Sequence, residues 1–214
     1  FVSTVTGRWA LVVELRSPDQ KALAQRVRDI AALPGVRRVD TCVYTEILKD
    51  AYFPPRDLSL APTPIDDIDR ALLAQLQRDG RTSFADLGEA VGLSIGAART
   101  RVLRLLDAGA VHIGARVYPH ALGLEHHTGF EITFADGAQT AVERMRAMDH
   151  VQYLATTIGR CDAVGTLTGY SAEEIFQALE GLRALPGVRS VESWTHLRVV
   201  KESYERSPLI QTES

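Results

Sequence analysis

The sequence predicts an α+β protein: a winged helix-turn-helix followed by a ferredoxin-like βαββαβ domain, preceded by the C-terminal half of another such domain. Three observations carry that prediction. The string ALPGVR occurs at 32–37 and again at 184–189, 152 positions apart. The ungapped pairing of 7–52 with 159–204 set by that spacing keeps 14 of 46 residues identical. Between the copies stand three short amphipathic segments with capping residues and a tight glycine turn.

Each copy reads strand, helix, strand. Leu11, Val13 and Leu15 alternate, as do Ala163, Gly165 and Leu167, which is strand spacing. Leu23, Val27 and Ile30, matched by Ile175, Leu179 and Leu182, follow helical spacing. The repeated string punctuates the two: Pro34 and Pro186 forbid helix continuation, Gly35 and Gly187 turn, and Val36 and Val188 open the next strand. In the last strand Glu192, Trp194, His196 and Arg198 share one face, and the bulk of Trp194 and His196 there predicts contact with another sheet or a ligand. Upstream of the second copy, 127–135 reads as a strand, 136–148 as a helix and 150–157 as a strand, completing βαββαβ. The first copy holds only the later half of that unit. Since Phe1 is not an initiator methionine, the chain is expected to be a fragment of a longer protein whose upstream part holds another helix-turn-helix.

Residues 50–64 contain four prolines and read as an extended linker, spanning on the order of 45 Å at about 3.1 Å per residue. Beyond it, Ile65, Ile68, Leu72 and Leu76 form the inner stripe of a first helix that stops at Gly80. Phe84, Leu87 and Val91 form a second, behind the caps Thr82 and Ser83. Gly92 and Leu93 turn, Ser94 caps a third helix with Ala98, Val102 and Leu105 inward, and 111–119 reads as a strand. The expected partition is thus 1–52, a partial domain; 53–64, a linker; 65–119, the winged helix-turn-helix; 120–204, the complete βαββαβ domain; and 205–214, a tail.

Composition bounds the function. The chain is 45% apolar and 24% charged with net charge −3, so it is globular and not basic as a whole. Nucleic-acid contact would need a local patch. One exists: 99–116 carries Arg99, Arg101, Arg104 and Arg116 against Asp107 alone, whereas 66–89 is net acidic. The third helix should present Gly96, Arg99, Thr100 and Arg104 outward with Arg101 to one side. The DNA-contact candidates are Thr82, Ser83, Ser94, Gly96, Ala97, Arg99, Thr100, Arg101 and Arg104. Arg99→Ala or Arg104→Ala is expected to weaken binding and leave the fold intact. No stretch approaches the length of a membrane span, and no targeting pattern is present. Two cysteines at inequivalent repeat positions fit a reducing cytoplasm. None of the six histidines forms a ligand-spaced pair on a helix, and no HExxH, phosphate-loop or catalytic Ser/His/Asp order occurs. Neither catalytic residue, metal nor cofactor is therefore assigned.

The runs "IDDIDRALLAQLQRDGRTSFADLGEAVGLS" and "RTRVLRLLDAGAV", with ALPGV before the last strand, resemble the Lrp/AsnC (feast/famine) transcription regulators. The resemblance covers 65–204 as a complete unit and 1–52 as the end of a preceding one. It implies a winged helix-turn-helix joined to a RAM effector domain, binding double-stranded DNA and responding to an amino acid or other small metabolite. It also implies dimers or higher homo-oligomers, for which two effector domains in one chain offer an internal pseudo-dimer. Gly159 and Asp162 match the family's Gly-x-x-Asp effector loop, with Trp194 as a further effector candidate. Cys161 stands where the family usually has an aromatic, and the first copy reads Gly7-Arg8-Trp9-Ala10, with no aspartate. Two alternatives remain: a haem-biosynthetic decarboxylase of similar fold, and an effector-binding module without DNA binding.

Overall fold

The computed structural model describes residues 1–17, 19–51, 63–114, 123–124, 126–135 and 138–201. They fall into two compact units, one built from 1–51 and 123–201, the other from 63–114. Among them no helix is long and apolar enough to cross a membrane.

The first unit contains β1 (Val2–Val5), β2 (Leu11–Val13), α1 (Gln20–Ala31), β3 (Cys42–Asp50), β4 (His126–Phe134), α5 (Ala138–Ala147), β5 (Val151–Gly159), β6 (Ala163–Gly169), α6 (Ala172–Arg183) and β7 (Val188–Lys201). The order β7-β4-β6-β5 within its sheet is the ferredoxin-like arrangement. Alternation decides which side of that sheet is dry. Phe130, Ile132, Ala163 and Leu167 point to one face, where they bury with Val151, Leu154, Met145 of α5 and Ile175, Ala178 and Leu182 of α6. Each such large side chain contributes roughly 1.5–3 kcal/mol of transfer free energy.

The first copy adds strands to both edges, giving β2-β1-β7-β4-β6-β5-β3. β1 pairs antiparallel with β7 as Val2↔Lys201, Ser3↔Val199, Thr4↔Arg198 and Val5↔His196. β3 pairs antiparallel with β5 as Lys49↔Leu154, Ile47↔Ala155, Glu46↔Thr156 and Tyr44↔Thr157. Moving each residue to its counterpart in the other copy converts every one of these pairs into a pair of the other ladder. The register shifts fall at corresponding places as well. Sequence similarity between the copies thus extends to how each receives the other.

The copies are not equal in packing. In the second, β4 lies between β7 and β6, and Val191 and Glu192 pair with Ile132 and Glu131. The first copy has no counterpart of β4 in this sequence. Its last strand begins at Cys42, not at Val36 as expected, and among the described residues 36–41 pair with no strand. α1 buries no residue, whereas its counterpart α6 buries three.

The second unit is α2 (Asp67–Arg78), α3 (Phe84–Val91) and α4 (Ile95–Asp107). Asp66 and Asp69 form a capping box at the start of α2, and Ser83 and Ser94 cap α3 and α4. Leu72, Leu76, Leu87, Ala98 and Val102 make the core, flanked by Ile68, Phe84, Val91 and Leu106. Gly92 takes a left-handed conformation at the end of α3, and the Leu93 N–H donates to the Gly88 carbonyl at 2.8 Å. Of the expected strand at 111–119, residues 115–119 lie outside the described residues. Most of the linker, 53–62, and the tail 205–214 lie outside them too.

Candidate nucleic-acid and effector sites

The N-terminal half of α4 is the open surface of the second unit. Ser94, Gly96, Arg99 and Thr100 are exposed, and Ala97 is half-buried. The Ser94 hydroxyl accepts from the Ala97 N–H at 3.2 Å, and Thr100 Oγ1 donates to the Gly96 carbonyl at 2.9 Å. A Cβ at Gly96 would meet nothing within 4 Å, so its small size answers no packing demand in the unit. Thr82 Oγ1 donates to the Asp79 carbonyl at 2.7 Å, and Ser83 Oγ donates to Asp86 Oδ2 at 2.7 Å while capping α3. These two hydroxyls are committed to the turn before α3.

Arg101 and Arg104 do not stand free as the charge pattern suggested. Arg101 Nη1 donates to Asp66 Oδ2 at 2.7 Å and to Asp69 Oδ1 at 2.9 Å. Arg104 donates to Asp69 Oδ2 and, at 3.1 Å, to the Pro64 carbonyl. Asp69 is only 1% exposed, against 31% and 41% for the two arginine side chains. Its carboxylate is buried because two guanidiniums replace its water. The Asp69 N–H, followed by Arg101, holds the Asp66 carboxyl below the usual range. The net charge of +3 over 99–116 is therefore partly spent inside the unit. Arg99, which makes no ion pair among the described residues, is the cation that α4 presents outward.

In the first unit, Gly159, Asp162 and Trp194 do not converge on one place. The Gly159–Asp162 turn packs on the start of β3: Gly159 has φ +139°, and a Cβ there would collide with the Thr41 carbonyl and lie 3.2 Å from Cys42 Cα. The corresponding turn of the first copy, Gly7 to Ala10, packs instead on β7, with a Gly7 Cβ position 3.9 Å from Trp194 Cβ. Trp194 thus belongs to the other turn. Its indole covers Gly129, where any Cβ would collide with the ring, and Nε1 donates to His196 Nε2 at 3.2 Å. Phe1 of the first copy meets the His196 ring at a centroid distance of 5.7 Å, a contact from the neighbouring strand of the same sheet and not from another sheet or a ligand. The Asp162 carboxylate accepts from the Phe134 N–H at 2.7 Å through one oxygen.

Sequence reasoning missed the polar cluster joining the two turns. Arg160 donates to Glu131 and stands 3.6 Å from Glu192 and 3.9 Å from Asp40. Arg8, the repeat counterpart of Arg160, lies 3.7 Å from Glu192, the counterpart of Asp40. The guanidinium carbons of Arg8, Arg38 and Arg160 lie 5.2, 5.6 and 5.0 Å from the Trp9 ring centroid. Desolvation raises the Glu131 carboxyl pKa, with Arg160 opposing it. The signal was present, because Gly-Arg is identical in the two copies. Three guanidiniums interleaved with three carboxylates can receive both ends of a zwitterion. Among the described residues, no group of three or more His, Cys, Asp or Glu side chains is placed to hold a metal.

Comparison with known proteins matches both units. Residues 65–106 match the AsnC-type helix-turn-helix domain, and residues 1–52 match the Lrp/AsnC ligand binding domain. The HTH-type transcriptional regulator LrpA of Mycobacterium tuberculosis is 32% identical over 129 residues, 59% of this chain and 86% of that protein. The crystal structure of Mycobacterium tuberculosis leucine response regulatory protein (LrpA) superposes with TM-score 0.59 at 30% identity, covering 67% of this chain and 100% of that one. A transcriptional regulator from Neisseria meningitidis, solved as a complex with L-Met, superposes with TM-score 0.62 at 21% identity, covering 67% of this chain and 97% of that one. Fold, helix-turn-helix and relatives agree: the chain belongs to the Lrp/AsnC family of transcriptional regulators.

Proposed function

We propose that this protein is a cytoplasmic, sequence-specific DNA-binding regulator that reads duplex DNA with α4 and answers to an amino acid or related metabolite. The observation that carries the DNA reading is the exposed N-terminal half of α4, where Gly96, Arg99 and Thr100 stand together and Arg99 makes no ion pair among the described residues. Arginine reaches phosphate or the edge of guanine, and an uncrowded glycine lets the duplex approach the helix backbone. The effector would sit against the Gly159–Asp162 turn, with Asp162 or the Glu131–Arg160 cluster meeting its ammonium and carboxylate. The two copies act as an internal pseudo-dimer, a reading supported by the matching ladders of β1 with β7 and β3 with β5. Further association of chains into homo-oligomers is compatible with it.

A second reading, an effector-binding module without DNA affinity, is favoured by one fact: two of the arginines on α4 are already neutralised by Asp66 and Asp69. Selection of bound sequences from a random duplex pool, with and without amino acids, separates the two. A partly palindromic site bound in the nanomolar range, with affinity falling steeply as salt rises, supports the regulator. Recovery of no sequence at any salt, from a protein that still binds an amino acid, supports the module.

A further inference from the structure

Cys42 and Cys161 come from different copies of the repeat and meet with their sulfurs 3.3 Å apart. Both are free thiols. They lie where the matching of the copies fails, since their repeat counterparts are Trp194 and Trp9. The contact depends on Gly159, the residue paired with Cys42, because a side chain there would push against Thr41 and Cys42. Only a glycine lets the turn carrying Cys161 approach β3 so closely.

We infer that Cys42 and Cys161 form a reversible intrachain disulfide under hydrogen peroxide, a modification site that ties the 159–162 turn to β3. The two sulfurs differ in access, which orders the chemistry. Cys42 is half-buried and reachable, whereas Cys161 is 3% exposed. Burial pushes the Cys161 thiol pKa up, and the more exposed Cys42 is the sulfur that peroxide reaches first. The Cys42 thiolate attacks one peroxide oxygen, forming a sulfenic acid and releasing hydroxide. The Cys161 sulfur then displaces the sulfenic hydroxyl, its proton leaving with that hydroxyl as water. Two thiols lose two electrons in total, and one peroxide becomes two waters. No large movement is required, because the sulfurs already touch and need only close to about 2.0 Å.

The test uses the whole chain, reduced and then treated with stoichiometric hydrogen peroxide before alkylation. The expected product is monomeric on a non-reducing gel, lighter by two hydrogens and closed to alkylation. It also yields one peptide pair joining Cys42 to Cys161. Its thermal midpoint should rise by about 5–10 °C, since the bond closes a loop between residues 119 positions apart, and dithiothreitol should reverse the shift. In Cys42→Ser, Cys161 should stay open to alkylation after unfolding. In Cys161→Ala, a sulfenic acid should be trapped on Cys42 by dimedone. Chain-to-chain disulfides, or a sulfinic acid on Cys42 with Cys161 still alkylatable, would overturn the inference. None of these readouts involves DNA or an effector, so the result stands apart from the proposed function.

Discussion

The carboxylate of Asp69, buried at the first turn of α2, accepts from the guanidinium of Arg104 on α4, and Arg101 joins the same carboxylate at 2.9 Å. Two side chains that look like DNA contacts in the sequence are thereby brackets between helices. Asp69→Ala removes the shared acceptor and leaves two cations facing each other beside a small void. The expected loss is about 3 kcal/mol of unfolding free energy, measured by urea titration. Arg104→Ala should cost about 1 kcal/mol while the fold stays intact. An Asp69→Ala protein as stable as the parent would remove the bracket from the account.

Arg99 is the cation on which the DNA reading concentrates. Arg99→Ala should leave the thermal midpoint unchanged, lower affinity by roughly 1 kcal/mol, and flatten the plot of log affinity against log salt by about one unit. Fluorescence anisotropy at several salt concentrations, on the selected duplex, measures both effects. An unchanged slope would mean that α4 does not track a phosphate through this residue.

Two glycines of the helix-turn-helix should behave oppositely. A Cβ at Gly88 would lie 2.7 Å from the Leu93 carbonyl oxygen, backbone that cannot swing aside. Gly88→Ala should therefore lower stability by about 2 kcal/mol and spoil the angle between α3 and α4. Gly96→Ala meets open space inside a helix and should raise stability by up to about 1 kcal/mol. If it also weakens DNA binding, the duplex approaches the backbone there. Calorimetry and gel shift on the same two proteins decide the matter.

His196 gives the fold a pH dependence with a definite sign. Burial first, and the neighbouring His127 second, bring its pKa down to about 4, against about 6.5 when unfolded. Between those values the unfolded chain holds a proton that the folded chain refuses, so stability falls as pH drops through that window and is complete above it. The loss should be on the order of 1–2 kcal/mol after allowance for solvent screening. Urea titrations at neutral pH and near pH 4.5 test it, and His196→Gln should reduce the difference while keeping an acceptor for the Trp194 indole.

Much of this was legible in advance because it depends on local rules. Capping by Ser83 and Ser94, the stop at Pro34 and Pro186, and the alternation along β4 and β6 are properties of short segments. What was not legible depends on partners distant in sequence. A strand from Val36 was expected from its pattern, yet among the described residues pairing starts only at Cys42, where β5 lies alongside. Arg101 and Arg104 were read by their position on α4, but their direction is set by Asp66 and Asp69 more than thirty residues away. Trp194 was grouped with Gly159 and Asp162 because of its bulk on the outward face of the last strand, whereas the pairing of the copies places it against the opposite turn. The cluster around Trp9 followed from the same exchange, and no one-dimensional pattern registers it.

The two matching ladders have a consequence for how such a regulator responds to dilution and to mutation. Where pairing joins separate chains, it weakens as the protein becomes scarce, and any altered residue appears on both sides of the axis. Here the paired strands belong to one polypeptide, so each copy meets the other at an effective concentration fixed by the tether. Assembly of this pair is then insensitive to expression level. A change at Cys161 or Asp162 also leaves Trp9 and Ala10 as they were, so the two turns are free to diverge.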